Sequence, residues 1–146
     1  MYDSVNAGSI PRGATMTAGY GNGEFKWTAA DWALFPHARH VRIDVNGTDP
    51  QGCGVLDVER FDATPAMVPG WIRARRKALP LGRAVIYCSR SSVPAVQAAA
   101  GGLRYSLWVA DWTNAPHHAG DAIAVQYRNT PGYDLSVVYD DTWHSR

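Results

Sequence analysis

Gly54-Val55-Leu56-Asp57-Val58-Glu59 is an apolar run that ends in two carboxylates two positions apart. In a strand, side chains two apart share a face, so Val55, Asp57 and Glu59 point the same way and two acids meet at one strand end. Arg60 to Thr64 is polar and leads to Pro65, so the strand is expected to stop at Glu59. Acids at the C-terminal end of a sheet or barrel strand are placed for proton transfer. Two acids so placed can take up proton-transfer chemistry. The bland alternative is an exposed strand end whose acids meet only water.

Other chemistries weigh less. His37 and His40 are three apart and His117 and His118 are adjacent, but neither pair has a third ligand at metal-site spacing. Surface or loop histidines and no metal are expected. Cys88-Ser89 lacks a G-x-S-x-G elbow. Gly19-Tyr20-Gly21-Asn22-Gly23 lacks the dinucleotide spacing and reads as a flexible βα loop, so no cofactor is expected. A formal net charge of +1 argues against broad binding to nucleic acid or membrane, and Arg73, Arg75, Arg76 and Lys77 read as a solvated helix face. No apolar run approaches the ~18 residues of a membrane span, and the N-terminus lacks a signal-peptide pattern.

The elements that must position the acids follow from periodicity. With 46% hydrophobic and 18% charged residues, the 146-residue chain is expected to form a single packed domain over residues 1–146. Strands are predicted over 2–5, 14–20, 40–46, 54–59, 83–89, 105–112, 122–129 and 134–140. Helices are predicted over 27–35, with Thr28 as its cap, over about 64–79, weakened by Pro69 and Gly70, and from Ser91 or Ser92 toward Ala100. Trp27, Trp32, Trp71 and Trp108 read as mostly core.

This predicts a reduced α/β, TIM-like barrel of eight short strands with several helices missing, although such barrels usually need ~200 residues or more. The link Thr130 to Tyr133 is too short for a parallel crossover, so the last strand is expected to run antiparallel. Asp134, at its start, then joins Asp57 and Glu59, with Asp3 as a fourth acid. No helix is predicted between the third and fourth strands. A hairpin there would reverse the fourth strand and carry Glu59 to the end opposite Asp3. Cys53 and Cys88 fall too far apart along parallel strands for a disulfide, so both thiols are expected free.

Asp3-Ser4, Asp57-Val58-Glu59, Ile86-Tyr87-Cys88-Ser89, Leu107-Trp108-Val109-Ala110, Val125-Gln126-Tyr127 and Asp134-Leu135-Ser136 occur in an order that resembles glycoside hydrolase family 25, muramidases acting on peptidoglycan. A compact actinobacterial and actinophage version is the nearer likeness. The resemblance implies a barrel with an antiparallel eighth strand, Glu59 as general acid/base, Asp57 as the acid that orients and stabilises the reacting sugar, and Asp3 and Asp134 as supporting carboxylates. Clustered like charge is expected to raise the pKa of Glu59. The sugar's own acetamido group is an alternative nucleophile, with Asp57 steadying the cyclic intermediate. Tyr20, Tyr87, Trp112, Gln126 and Tyr127 are candidate substrate contacts at strand ends.

The implied partner is a cell-wall glycan, reached from the cytoplasm on lysis or from a phage virion. The competing expectation is an inactive barrel serving as a virion structural or wall-polysaccharide-binding module. Apolar surface exposed where helices are missing would favour that second reading, through self-association or virion proteins.

Overall fold

The computed structural model describes residues 1–143. Eight strands close into a barrel in sequence order: β1 (Tyr2–Asp3), β2 (Met16–Tyr20), β3 (Arg39–Asp44), β4 (Val55–Val58), β5 (Val85–Ser89), β6 (Ser106–Ala110), β7 (Ala124–Asn129) and β8 (Asp134–Val138). β1 to β7 are parallel, and β8 runs antiparallel to both β7 and β1. The short link before β8 dictates that reversal.

Alternation of side chains divides the core. Met16, Ala18, Val41, Ile43, Val55, Val85, Tyr87, Trp108 and Ala124 belong to one buried cluster, closed by Trp143. Leu56, Val58, Ile86 and Cys88, from alternate positions of β4 and β5, pack instead with Val68, Trp71, Ile72 and Val96 of helices α2 (Val68–Ala78) and α3 (Val93–Ala100). The five-residue α1 (Ala29–Ala33) is set by a capping box, in which Thr28 Oγ1 accepts from the Asp31 N–H and Asp31 accepts from the Thr28 N–H. Trp27, Trp32, Trp71 and Trp108 are all buried.

The link from β3 to β4 contains no helix, yet the two strands pair in parallel, Ile43 with Val55 and Asp44 with Leu56. The hairpin alternative is therefore ruled out, and the reason is one buried carboxylate. Asp44 Oδ1 accepts from the backbone N–H of Asn46, Gly47 and Thr48 and from the Asn22 side chain. Asp44 Oδ2 accepts from the Asp49 N–H and the Trp71 indole. These charge-assisted bonds hold the first half of the crossover against the barrel, where a helix would otherwise have satisfied the chain.

Three local expectations are corrected. Arg75 is buried, because it continues the Val68, Trp71, Ile72 stripe at helical spacing; its guanidinium donates to the carbonyls of Pro50, Gln51 and Arg83. Arg73 and Lys77 stay exposed. Pro69 lies in the first turn of α2, where no N–H is needed, so it starts the helix rather than weakening it. Gly19 lies within β2 and Gly21 just after it, and both serve close packing: a Cβ on Gly19 would lie 2.3 Å from the Trp27 ring, and one on Gly21 2.3 Å from Cys53 Sγ.

Both cysteines are free and buried, and burial pushes each thiol up to about 12. On the outer wall, Val109 and Val125 are buried together with Ala122 of the preceding loop. Among the described residues, Val5, Phe25, Phe61 and Trp112 are exposed beyond the C-terminal ends of β1, β2, β4 and β6, while Leu79 and Leu81 precede β5. No helix among them is long and apolar enough to cross a membrane.

Candidate active site

Register carries the acids to one rim, the C-terminal mouth of β1 to β7. Asp3 pairs directly with Asp134 across β1 and β8, and Asp57 sits opposite Tyr87 across β4 and β5. Glu59 lies one residue beyond β4 and is exposed, Asp134 is half-buried, and Asp3 and Asp57 are buried.

A hydrogen-bonded ladder ends on one of them. The Tyr87 hydroxyl and the Trp112 indole N–H both donate to Gln126 Oε1, at 2.9 and 2.8 Å, and Gln126 Nε2 donates to Asp3 Oδ2 at 2.9 Å. Two donors on one amide oxygen fix its orientation, so the amide nitrogen faces Asp3. Asp3 Oδ1 and Asp57 Oδ1 are buried with no hydrogen-bond partner among the described residues.

A carboxylate deprived of water and donors resists ionisation. Asp3 is accordingly pushed up to about 8, by burial first and the nearby Asp134 second, with Gln126 opposing. Asp57 rises well above the usual carboxylate range through burial, then the charges of Glu59, Asp62 and Asp3. Glu59 is also raised, and burial outweighs Asp62 as the cause, while the Tyr87 hydroxyl opposes. The rise expected from clustered like charge is thus present at Glu59, with burial the larger influence. Burial raises Asp134 and Asp62 as well. The same burial and surrounding negative charge push the Tyr20 and Tyr87 phenols upward.

Tyr20, Tyr87, Trp112 and Gln126 therefore adjoin the acids or the ladder. Tyr127 does not: it falls at a β-bulge between Gln126 and Arg128, beside the Arg128 guanidinium, and no hydrogen bond or ring contact links it to the acids among the described residues. A bulge adds one residue and changes which face the later residues of the strand present, a shift that alternation alone does not reveal.

Asp62, Phe25 and Phe61 were not singled out by the sequence. All three line a groove of about 500 Å³ at the mouth, together with Val5, Tyr20 and Arg60. Their signal was available, since each lies just after the C-terminal end of a strand, but polar and glycine-rich neighbours made them read as loop.

His117 lies in the β6–β7 loop, where Nε2 is 2.9 Å from Asp111 Oδ2 and Nδ1 is 3.0 Å from the Ala115 carbonyl. Acceptors at both nitrogens favour the imidazolium and raise its pKa; Arg90 also pairs with Asp111. His117 therefore ties this loop together. Among the described residues no group of three His, Cys, Asp or Glu side chains is placed to hold a metal ion.

The molecule is thus a reduced α/β barrel whose mouth gathers carboxylates that all resist ionisation more than isolated acids do. No protein-family model, curated protein or solved structure matches the chain.

Proposed function

We propose that the chain is a glycoside hydrolase of the muramidase type, similar to family 25, acting on peptidoglycan or a related cell-wall glycan. The observation that carries this reading is the convergence of Asp3, Asp57, Glu59 and Asp134 at one mouth, with the exposed Glu59 beside the buried Asp57. Glu59 reaches solvent, and its raised pKa suits a group that donates a proton to a leaving oxygen and then takes one from water. Asp57 lies deeper, with one oxygen unpartnered. A positive, oxocarbenium-like centre next to it favours its ionised form, so its stabilisation is greatest in the transition state. The same oxygen can instead steady an acetamido group acting as nucleophile. Gln126, held by Tyr87 and Trp112, orients Asp3.

One observation favours the second reading, a glycan-binding or virion module without turnover. Asp57, the acid that the resemblance needs ionised, is pushed well above the usual carboxylate range, by burial first, and this disfavours its ionised form. Release of reducing ends from purified peptidoglycan, by wild type and Glu59→Gln across several pH values, separates the two. Turnover that falls at least about a hundredfold in the variant supports the glycosidase. No release by a folded wild type on several wall types supports the module. Delivery to the wall by lysis or in a virion belongs to either reading.

A further inference from the structure

We propose that Phe61 and Phe25 clamp one neutral pyranose ring in the groove beside Glu59, and that the acidic lining of this subsite turns away anionic sugars. The proposal rests on the glycan reading of the mouth but concerns binding, not bond cleavage.

Phe61 is 91% exposed and has a backbone φ of +78°, the left-handed region that bulky side chains avoid. It is the third residue of a turn closed by the Asp62 N–H on the Glu59 carbonyl at 3.2 Å, a position with positive φ that ordinarily belongs to glycine or asparagine. The Ala63 N–H bonds the Asp57 carbonyl at 3.1 Å, which anchors the turn to β4 and fixes the ring relative to both acids. The residue thus combines backbone strain with an unburied aromatic ring. Its one ring partner among the described residues is the Arg60 guanidinium, 4.7 Å from the centroid. Strain maintained at an exposed aromatic beside a carboxylate cluster points to a ligand that the ring must meet.

The groove identifies that ligand's chemistry. Phe25 and Val5, each 52% exposed, line it with Phe61 and supply apolar surface for the C–H face of a sugar. Tyr20 and Asp62 line it too, and both interact electrostatically with Glu59, so groove and acid cluster are continuous. Arg60 is the one cation among the described lining residues, against Glu24 and Asp62. With two lining carboxylates against one guanidinium, a carboxylated sugar meets net repulsion while a neutral ring does not. A volume of about 500 Å³ lies within the range of small-ligand pockets.

The test titrates the full chain, by calorimetry, with the neutral N-acetylglucosamine tetramer and separately with tetragalacturonate. Phe61→Gly keeps the turn, because glycine adopts positive φ freely. It should keep or raise the melting temperature while weakening tetramer binding about tenfold or more, the loss of one aromatic contact. Phe25→Ala should weaken binding by a smaller factor, and tetragalacturonate should bind at least about tenfold more weakly than the neutral tetramer. Wild-type affinity in Phe61→Gly, equal affinity for the two glycans, or no tetramer binding by wild type would each overturn the clamp. Reducing-end release is measured in parallel for wild type, Phe61→Gly and Glu59→Gln. Binding lost in Phe61→Gly without hydrolysis by any protein leaves the clamp standing and removes the glycosidase. Glu59-dependent hydrolysis with unchanged binding in Phe61→Gly does the reverse.

Discussion

The two ends of the barrel treat charge in opposite ways. At the floor, Arg83 pairs with Asp140 at 2.6 Å, Arg39 pairs with Asp141, and the Arg75 guanidinium is spent on backbone carbonyls. Asp140 is held below the usual carboxylate range by Thr142 and Arg83. At the mouth, Asp3, Asp57, Glu59 and Asp134 gather without such pairing, and all are pushed the other way. The larger cavity, about 560 Å³, is nevertheless at the floor, lined by Arg75, Leu79, Leu81, Arg83 and Trp143. Size therefore does not single out the mouth. Buried acids lacking donors do, and such groups make it the candidate site, since a fold keeps them at the expense of its own stability.

The sharpest way to break this contrast is at Glu59. Glu59→Gln should reduce glycan hydrolysis at least about a hundredfold with little change in melting temperature, read by reducing-end release and thermal denaturation. A change at the floor should leave turnover intact.

The next effect compares two carboxylates near the same rim. Asp44 is satisfied by six donors, and Asp57 has an orphaned oxygen. Asp44→Ala should cost roughly 3–5 kcal/mol in urea denaturation, because it takes the shared acceptor from four backbone N–H groups, an amide and an indole around the crossover. Asp57→Asn should be neutral or stabilising at pH 7, by up to about 2 kcal/mol. Equal losses from both would erase the distinction between a structural and a functional acid.

Protonation gives a third test. The native pKa of Asp3, about 8, lies above that of an unfolded aspartate, ~3.9, so between those values the native state binds the extra proton. Stability present below pH 4 is lost as pH rises toward 8, and Asp57 adds to the same slope. Asp3→Asn, which still accepts from Gln126, should flatten the profile and gain roughly 1–3 kcal/mol at pH 8 relative to wild type. Melting temperature followed across pH 4–9 checks both sign and window. The smallest effect belongs to the floor: Arg83→Ala removes a partly exposed ion pair and should cost about 0.2–1 kcal/mol, less at high salt.

Much of the architecture was legible in single residues and spacings. Apolar or alternating runs bounded by turn residues marked all eight strands, and the four residues from Thr130 to Tyr133 required β8 to reverse. That reversal is what sets Asp134 beside Asp3, 131 positions away (134 minus 3). Local pattern sufficed there because strand facing and turn length are decided by neighbours along the chain.

Other features were settled only by packing. The parallel β3–β4 pair depends on Asp44 meeting Asn22 and Trp71, and Arg75 is inside because carbonyls of two separate loops converge on it. The Glu59 and Asp57 shifts come mainly from burial, a property of the closed barrel rather than of two acids in sequence. Phe25 and Phe61 looked like loop residues until the mouth brought them to one groove. Sequence by itself determined which groups would reach the mouth, through strand periodicity and one short connection. Tertiary structure decided how those groups behave, because desolvation and hydrogen-bond satisfaction depend on atoms that are distant in the chain and adjacent only after folding.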